Sequence, residues 1–169
     1  MKYKLYHYSK KPFTISSSHF YEKNSGIKPN GLWVSVGEDW EKWCREKDFD
    51  LEALQYKTEI KLKDVSKILY VHTQKDLDII EKNYERLISS PAPSFLSLMY
   101  SVAPCFYTCD WKKMKEDYSG IVLDEDTEDL RNNGFRNGGV SDWIEVWDCL
   151  SGCIWDFDII EVGKTIRLQ

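Results

Sequence analysis

A histidine, a cluster of tryptophans and a set of carboxylates fall at predicted strand edges of this chain. They lie in Leu5-Tyr-His-Tyr-Ser9, in Gly31-Leu-Trp-Val-Ser-Val-Gly-Glu-Asp-Trp-Glu-Lys-Trp43 and in Trp143-Ile-Glu-Val-Trp-Asp148. All seven tryptophans sit in two windows, residues 33–43 and 111–155, several beside acids, which is more indole than a core of this size needs. Aromatic planes next to carboxylates can hold a flat cationic ring and support a developing positive charge. His7, in a strand between tyrosines, is either a structural histidine bonded to a backbone carbonyl or a hydrogen-bond donor to a ligand hydroxyl. Glu145, between Trp143 and Trp147, either faces solvent on an edge strand or stands in a partly dry cleft with a raised pKa. Asp148, before Ser151-Gly152, is a turn former or a site carboxylate, and Asp142 is a third acid nearby. His19 and His72 carry no role from their surroundings.

The elements that must position these groups follow from periodicity. Residues 2–9 alternate aromatic and polar, a first strand. Residues 10–30 hold Pro12, Ser16 to Ser18 and Pro29-Asn-Gly31, a loop whose last turn launches a short strand from Leu32 to Val36, stopped at Gly37. Residues 38–47 predict a helix with acids in its first turn and bases in its last, with Trp40, Trp43 and Cys44 on one face. Strands are expected at 55–63 and 68–72. Thr73-Gln-Lys-Asp76 caps a helix running to about Ile88, with Leu77, Ile80, Tyr84 and Leu87 at helical spacing. Residues 94–109 lack a clean period and read as a short helix or an irregular segment. A helix over 110–118 leads to a strand at 121–123, and 124–139 reads as an exposed loop. A strand over 140–149 would place Trp143, Glu145 and Trp147 on one face, paired after a turn with 153–155, and 161–168 closes the chain. The sum is one α+β domain over residues 1–169, without βαβ repeats or a glycine-rich phosphate loop.

Composition narrows the function classes. The net charge of −5 argues against sequence-independent binding of nucleic acid over the whole surface. Six lysines against Glu22 give residues 1–30 a local +5, a patch that a phosphate-bearing ligand could meet. No apolar run reaches 18 residues and the N-terminus has no signal-peptide character, so a cytoplasmic protein without a membrane partner is expected. Five cysteines cannot all pair, and free thiols in a reducing compartment are the simpler reading. The pairs Cys105/Cys109 and Cys149/Cys153 have near-zinc spacing in strand-like, apolar settings, so no metal is expected.

With those residues in view, the chain resembles the ADP-ribosyltransferase-like superfamily of diphtheria-toxin and poly(ADP-ribose) polymerase type, which includes RNA 2′-phosphotransferases. Leu5-Tyr-His-Tyr-Ser9 is similar to its first-strand motif, histidine followed by a small or hydroxyl residue. Gly31-Leu-Trp-Val-Ser35 is similar to Gly-Ile-Tyr-Phe-Ala or Ser, with Trp33 in place of tyrosine. Trp43 falls where a second aromatic sandwiches nicotinamide, and residues 143–148 look like the late strand bearing the catalytic acid. The likeness covers about 30 residues in three places, and Tyr8 stands where glycine is common.

The resemblance implies a split mixed β-sheet with peripheral helices and NAD as substrate. His7 and Ser9 would hydrogen-bond the adenosine ribose and the nicotinamide amide region, with Tyr8 and Ser35 beside the cofactor. Trp33 and Trp43, with Trp40, would stack the nicotinamide. Glu145 or Asp148 would bond the ribose 2′-hydroxyl and stabilise the cation formed as nicotinamide leaves. ADP-ribose would pass to a macromolecular acceptor, met by loops 10–30 and 124–139, in an enzyme of toxin, effector or defence type. The alternatives are an interaction module with an exposed tryptophan patch and a nucleic-acid end-processing enzyme of the same superfamily.

Overall fold

The computed structural model describes residues 4–15, 28–89, 105–124, 144 and 147–168. Glu145, Trp143, Asp142, His19 and most of the 124–139 loop lie outside the described residues. The strands are β1 (Leu5–Ser9), β2 (Leu32–Val36), β3 (Tyr56–Leu62), β4 (Ile68–Val71), β5 (Glu85–Ser89), β6 (Cys105–Cys109), β7 (Gly120–Leu123), β8 (Ser151–Ile154) and β9 (Ile160–Arg167). The helices are α1 (Asp39–Lys47), α2 (Gln74–Tyr84) and α3 (Trp111–Asp117).

The fold is α+β. Seven strands form one sheet in the order β4-β7-β8-β2-β1-β3-β9, and β5 and β6 make a separate two-stranded ribbon. Pairing is antiparallel except between β4 and β7, so the sheet is mixed. It is continuous rather than divided in two, but it has a seam. Only Leu5↔Val36 and Tyr6↔Ser35 pair across β1–β2, whereas β1–β3 pairs five residues and β2–β8 four.

Side chains alternate across the sheet and so feed two layers of core. On one face Val71, Ile121, Leu123 and Cys153 pack beneath α2 and α3 with Leu77, Ile80, Trp111, Met114 and Trp147. On the other Leu5, Val34, Ile60, Val122, Ile154 and Ile160 pack with Phe13. A smaller cluster seats α1 on the first face through Cys44, Tyr8 and Leu54. Gly31 is present for close approach. A Cβ there would stand 2.5 Å from the Ile154 carbonyl oxygen, so the strand launch tolerates no side chain.

Two expected elements differ. The α2 pattern ends at Tyr84, not near Ile88, because 85–89 turns extended and pairs residue for residue with β6, so Leu87 sits in a strand. That pairing also makes 105–109 a strand. The predicted 140–149 strand is absent from its described part. The Trp147 N–H donates to the Ile144 carbonyl at 3.1 Å, closing a turn, and 148–150 are outside any strand. Ile144 and Trp147 both bury into one cluster, and a three-residue spacing onto one side is a turn's period, not a strand's.

Candidate functional site

The cleft begins where the β1–β2 ladder stops. Beyond Tyr6↔Ser35 the backbone pairing is replaced by a side chain: His7 Nδ1–H donates to the Trp33 carbonyl at 2.9 Å. A carbonyl only accepts, so the hydrogen is on Nδ1, and in the neutral ring Nε2 is an acceptor rather than the donor expected from sequence. The ring is 7% exposed and packs on Phe13 at 4.6 Å. His7 therefore has the structural bond that one sequence reading gave it, and it also lines the cleft.

The cleft encloses about 390 Å³, within the range of small-molecule sites. Its aromatic walls are Tyr6, Tyr8, Trp33 and Trp40, with Ser35, Cys149 and Ser151 at the base. Its charged groups are Lys28, Asp50 and Asp148. Trp33 is oriented from behind, its ring 4.7 Å from that of buried Trp147, which lies 6.5 Å from Trp111. Trp147 is fixed in turn by its indole N–H on the Ser151 carbonyl at 3.3 Å.

Trp40 is placed by α1. The left-handed φ of +59° at Gly37, which glycine adopts without strain, turns the chain out of β2, and the Ser35 hydroxyl then accepts the Trp40 N–H at 3.0 Å. Asp39 accepts the Leu150 N–H at 2.7 Å, tying α1 to the entry of β8. Trp43 is outside the cleft lining, stacked on Trp40 at 5.2 Å and 14°. Left-handed Asp48 and Asp50 carry the chain past Phe49, whose ring meets both indoles edge-on, and leave Asp50 on the cleft wall.

The remaining predicted residues are placed as follows. The Tyr8 hydroxyl donates to Glu41 at 3.3 Å, and burial, then the Glu41 charge, raises its pKa. The Ser9 hydroxyl donates to the Lys11 carbonyl at 2.7 Å, away from the cleft lining. Asp148 is at the rim, 3.2 Å from Lys28 Nζ. Tyr6, Lys28 and Asp50 were not expected. The 6/8 alternation places Tyr6 beside Tyr8, but nothing local marks the other two.

The charges in and around the cleft are mixed. Burial pushes the Cys44 thiol up to about 11, and the carboxylates of Asp50 and Asp148 add to the shift. Behind Tyr6, the 6%-exposed Lys57 lies 4.4 Å from the ring centroid and pairs with Glu38. That hydrogen bond and charge hold the Glu38 carboxyl below its usual range.

Trp111 and Trp147 are buried and Trp33, Trp40, Trp43 and Trp155 half-buried, so the described tryptophans form no exposed patch. Of the described N-terminal lysines, Lys4 pairs with Glu59 at 3.1 Å, Lys10 with Glu52 at 2.8 Å and Lys28 with Asp148. Cys44, Cys109, Cys149 and Cys153 are buried thiols without disulfides. Among the described residues no group of three or more metal-ligating side chains converges, and no helix is long and apolar enough to cross a membrane. Compared with protein-family models, curated proteins and solved structures, the chain matches none.

Proposed function

We propose that the chain is an NAD-dependent ADP-ribosyltransferase acting on a macromolecular acceptor, and that the partial β1–β2 seam in its continuous sheet stands where that superfamily's sheet splits. The observation that carries the reading is one cleft lined by Trp33, Trp40, Asp148 and His7. Indole faces and a carboxylate suit the nicotinamide ring, which is planar and positively charged while bonded to ribose. In the transfer the bond from ring nitrogen to ribose carbon breaks with its electron pair leaving on nicotinamide, and the acceptor's nucleophile takes the carbon and sheds a proton. Asp148, or Glu145, lowers the energy of the positive charge that grows on the sugar. His7 Nε2 accepts a hydrogen bond from a ribose hydroxyl. Buried thiols suit a reducing compartment, hence a cytoplasmic enzyme of toxin, effector or defence type.

The test is incubation of the pure protein with NAD, following nicotinamide release and thermal stabilisation together. Release that Asp148→Asn or a Glu145→Gln variant abolishes, with the fold's own thermal stability kept, supports transfer and identifies the acid. Neither release nor stabilisation in the wild type would sink the reading.

A further inference from the structure

The cleft already holds a cation of the chain's own. Lys28 Nζ stands 5.5 Å from the centroid of the Trp33 ring and 3.2 Å from Asp148 Oδ2. An indole face and a carboxylate are the two partners that an aromatic cation would seek in this cleft, and one ammonium engages both. The geometry points to a cation subsite, formed by Trp33 and Asp148, that the Lys28 side chain fills in this structure and that a planar organic cation enters by displacing it.

The ligand class is an N-alkylated pyridinium, so the inference rests on the functional reading above and adds a competitor to it. The competitor is built to leave. Lys28 and Asp148 are 39% and 41% exposed, and an ion pair that open to water is worth little. On its C-terminal side Pro29 is buried and Gly31 lies close against Ile154, so a swing of the lysine stem is enough to displace the ammonium. Trp33 cannot follow it, since its ring leans on buried Trp147. Asp50 also lines the cleft; its charge acts on Lys10, but among the described residues its side chain makes no hydrogen bond or ion pair within hydrogen-bonding reach, so it is a second carboxylate that an incoming cation can meet.

The arrangement predicts a sign that a lysine serving as a ligand contact would reverse. With tryptophan fluorescence as the readout, Lys28→Met should bind 1-methylnicotinamide about tenfold more tightly than wild type, the scale of one exposed ion pair plus one cation–π contact released. Neutral nicotinamide should show little change. Lys28→Arg should stay near wild type, and Asp148→Asn should weaken the cation. Unchanged or weaker binding of 1-methylnicotinamide by Lys28→Met overturns the inference. Two further outcomes separate it from the transferase reading. If Lys28→Met gains affinity for 1-methylnicotinamide while NAD is neither bound nor cleaved, the subsite stands and the transferase reading falls. If NAD is cleaved but Lys28→Met binds both NAD and 1-methylnicotinamide less well, the transferase stands and the displaced lysine falls.

Discussion

His7 has two ring nitrogens with separable jobs, and two substitutions divide them. In His7→Ala the Trp33 carbonyl loses its donor, a loss of about 1–3 kcal/mol for a polar group removed from water. Loss of the ring packed on Phe13 adds roughly 1 kcal/mol or more. A total near 3 kcal/mol in a chain of this length lowers Tm by roughly 6–12 °C. His7→Asn keeps an N–H close to the Nδ1 position, so it should retain the seam bond and fall by only about 2–4 °C, a cost of about 1 kcal/mol. Neither variant has an acceptor at Nε2, so both should lose NAD-dependent stabilisation and nicotinamide release. Differential scanning calorimetry with and without NAD reads both effects. Equal destabilisation by Ala and Asn would show that the seam bond contributes nothing, and NAD-dependent stabilisation retained by Asn would show that Nε2 meets no ligand.

Gly31→Ala should destabilise by more than about 2 kcal/mol in urea unfolding, because its Cβ would meet the Ile154 backbone, which cannot yield, as well as Cys153 Sγ. Glu38→Ala should cost more than Lys57→Met, since the first leaves a buried ammonium without its anion while the second removes the charge and keeps the stem, and paired urea titrations would show the order. Asp76 starts α2 by accepting the His72 and Thr73 N–H groups at 3.0 and 2.9 Å and the Thr73 hydroxyl at 2.9 Å. Burial opposes ionisation there, but these bonds and the His72 charge outweigh it and lower the pKa from its usual 3.8. A lowered carboxyl stabilises fully above the unfolded value and stops doing so as pH falls through the folded one. Asp76→Ala should therefore cost roughly 1–2 kcal/mol at pH 7, and the gap from wild type should shrink below about pH 4. A constant gap would refute the linkage.

Much of the fold was legible because its signals are local. Leu32 to Val36 between Gly31 and Gly37 is the observed strand residue for residue, and α1 follows its charge gradient with Asp39 and Glu41 first and Arg45 and Lys47 last. The failures are places where a distant partner decides. Glu85 to Ser89 continues a helical pattern but is claimed by β6, about twenty residues on. Trp143 to Trp147 has a period of two on paper, yet Ile144 and Trp147 drop together into the core under α2 and α3. Of the site, His7, Tyr8, Trp33, Ser35, Trp40 and Asp148 come together on the cleft, while Ser9 and Trp43 are turned to local partners. Lys28 and Asp50 reach the site through loop geometry, which has no periodic signature.

The seam is the least legible feature, and it explains why a cleft exists at all. β1 is paired along its whole length with β3 on its outer edge, and β2 is paired over four of its five residues with β8 on its own. Each strand is therefore held without help from the other, so the inner edges can part after two residue pairs at small cost. Had either been a terminal strand, the lost ladder bonds would have been its main support. What the parting releases is a short row of backbone groups from residues 7–9 and 32–34, and an unpaired backbone group must find water, a side chain or a ligand. The Trp33 carbonyl finds the His7 ring. The sequence reads the same whether the ladder zips or parts, because alternation of side chains is set within each strand and pairing is set between them. A histidine at this position is thus legible as a residue type, and its work as the stitch of a parted sheet only becomes visible once β3 and β8 are known to hold the two sides.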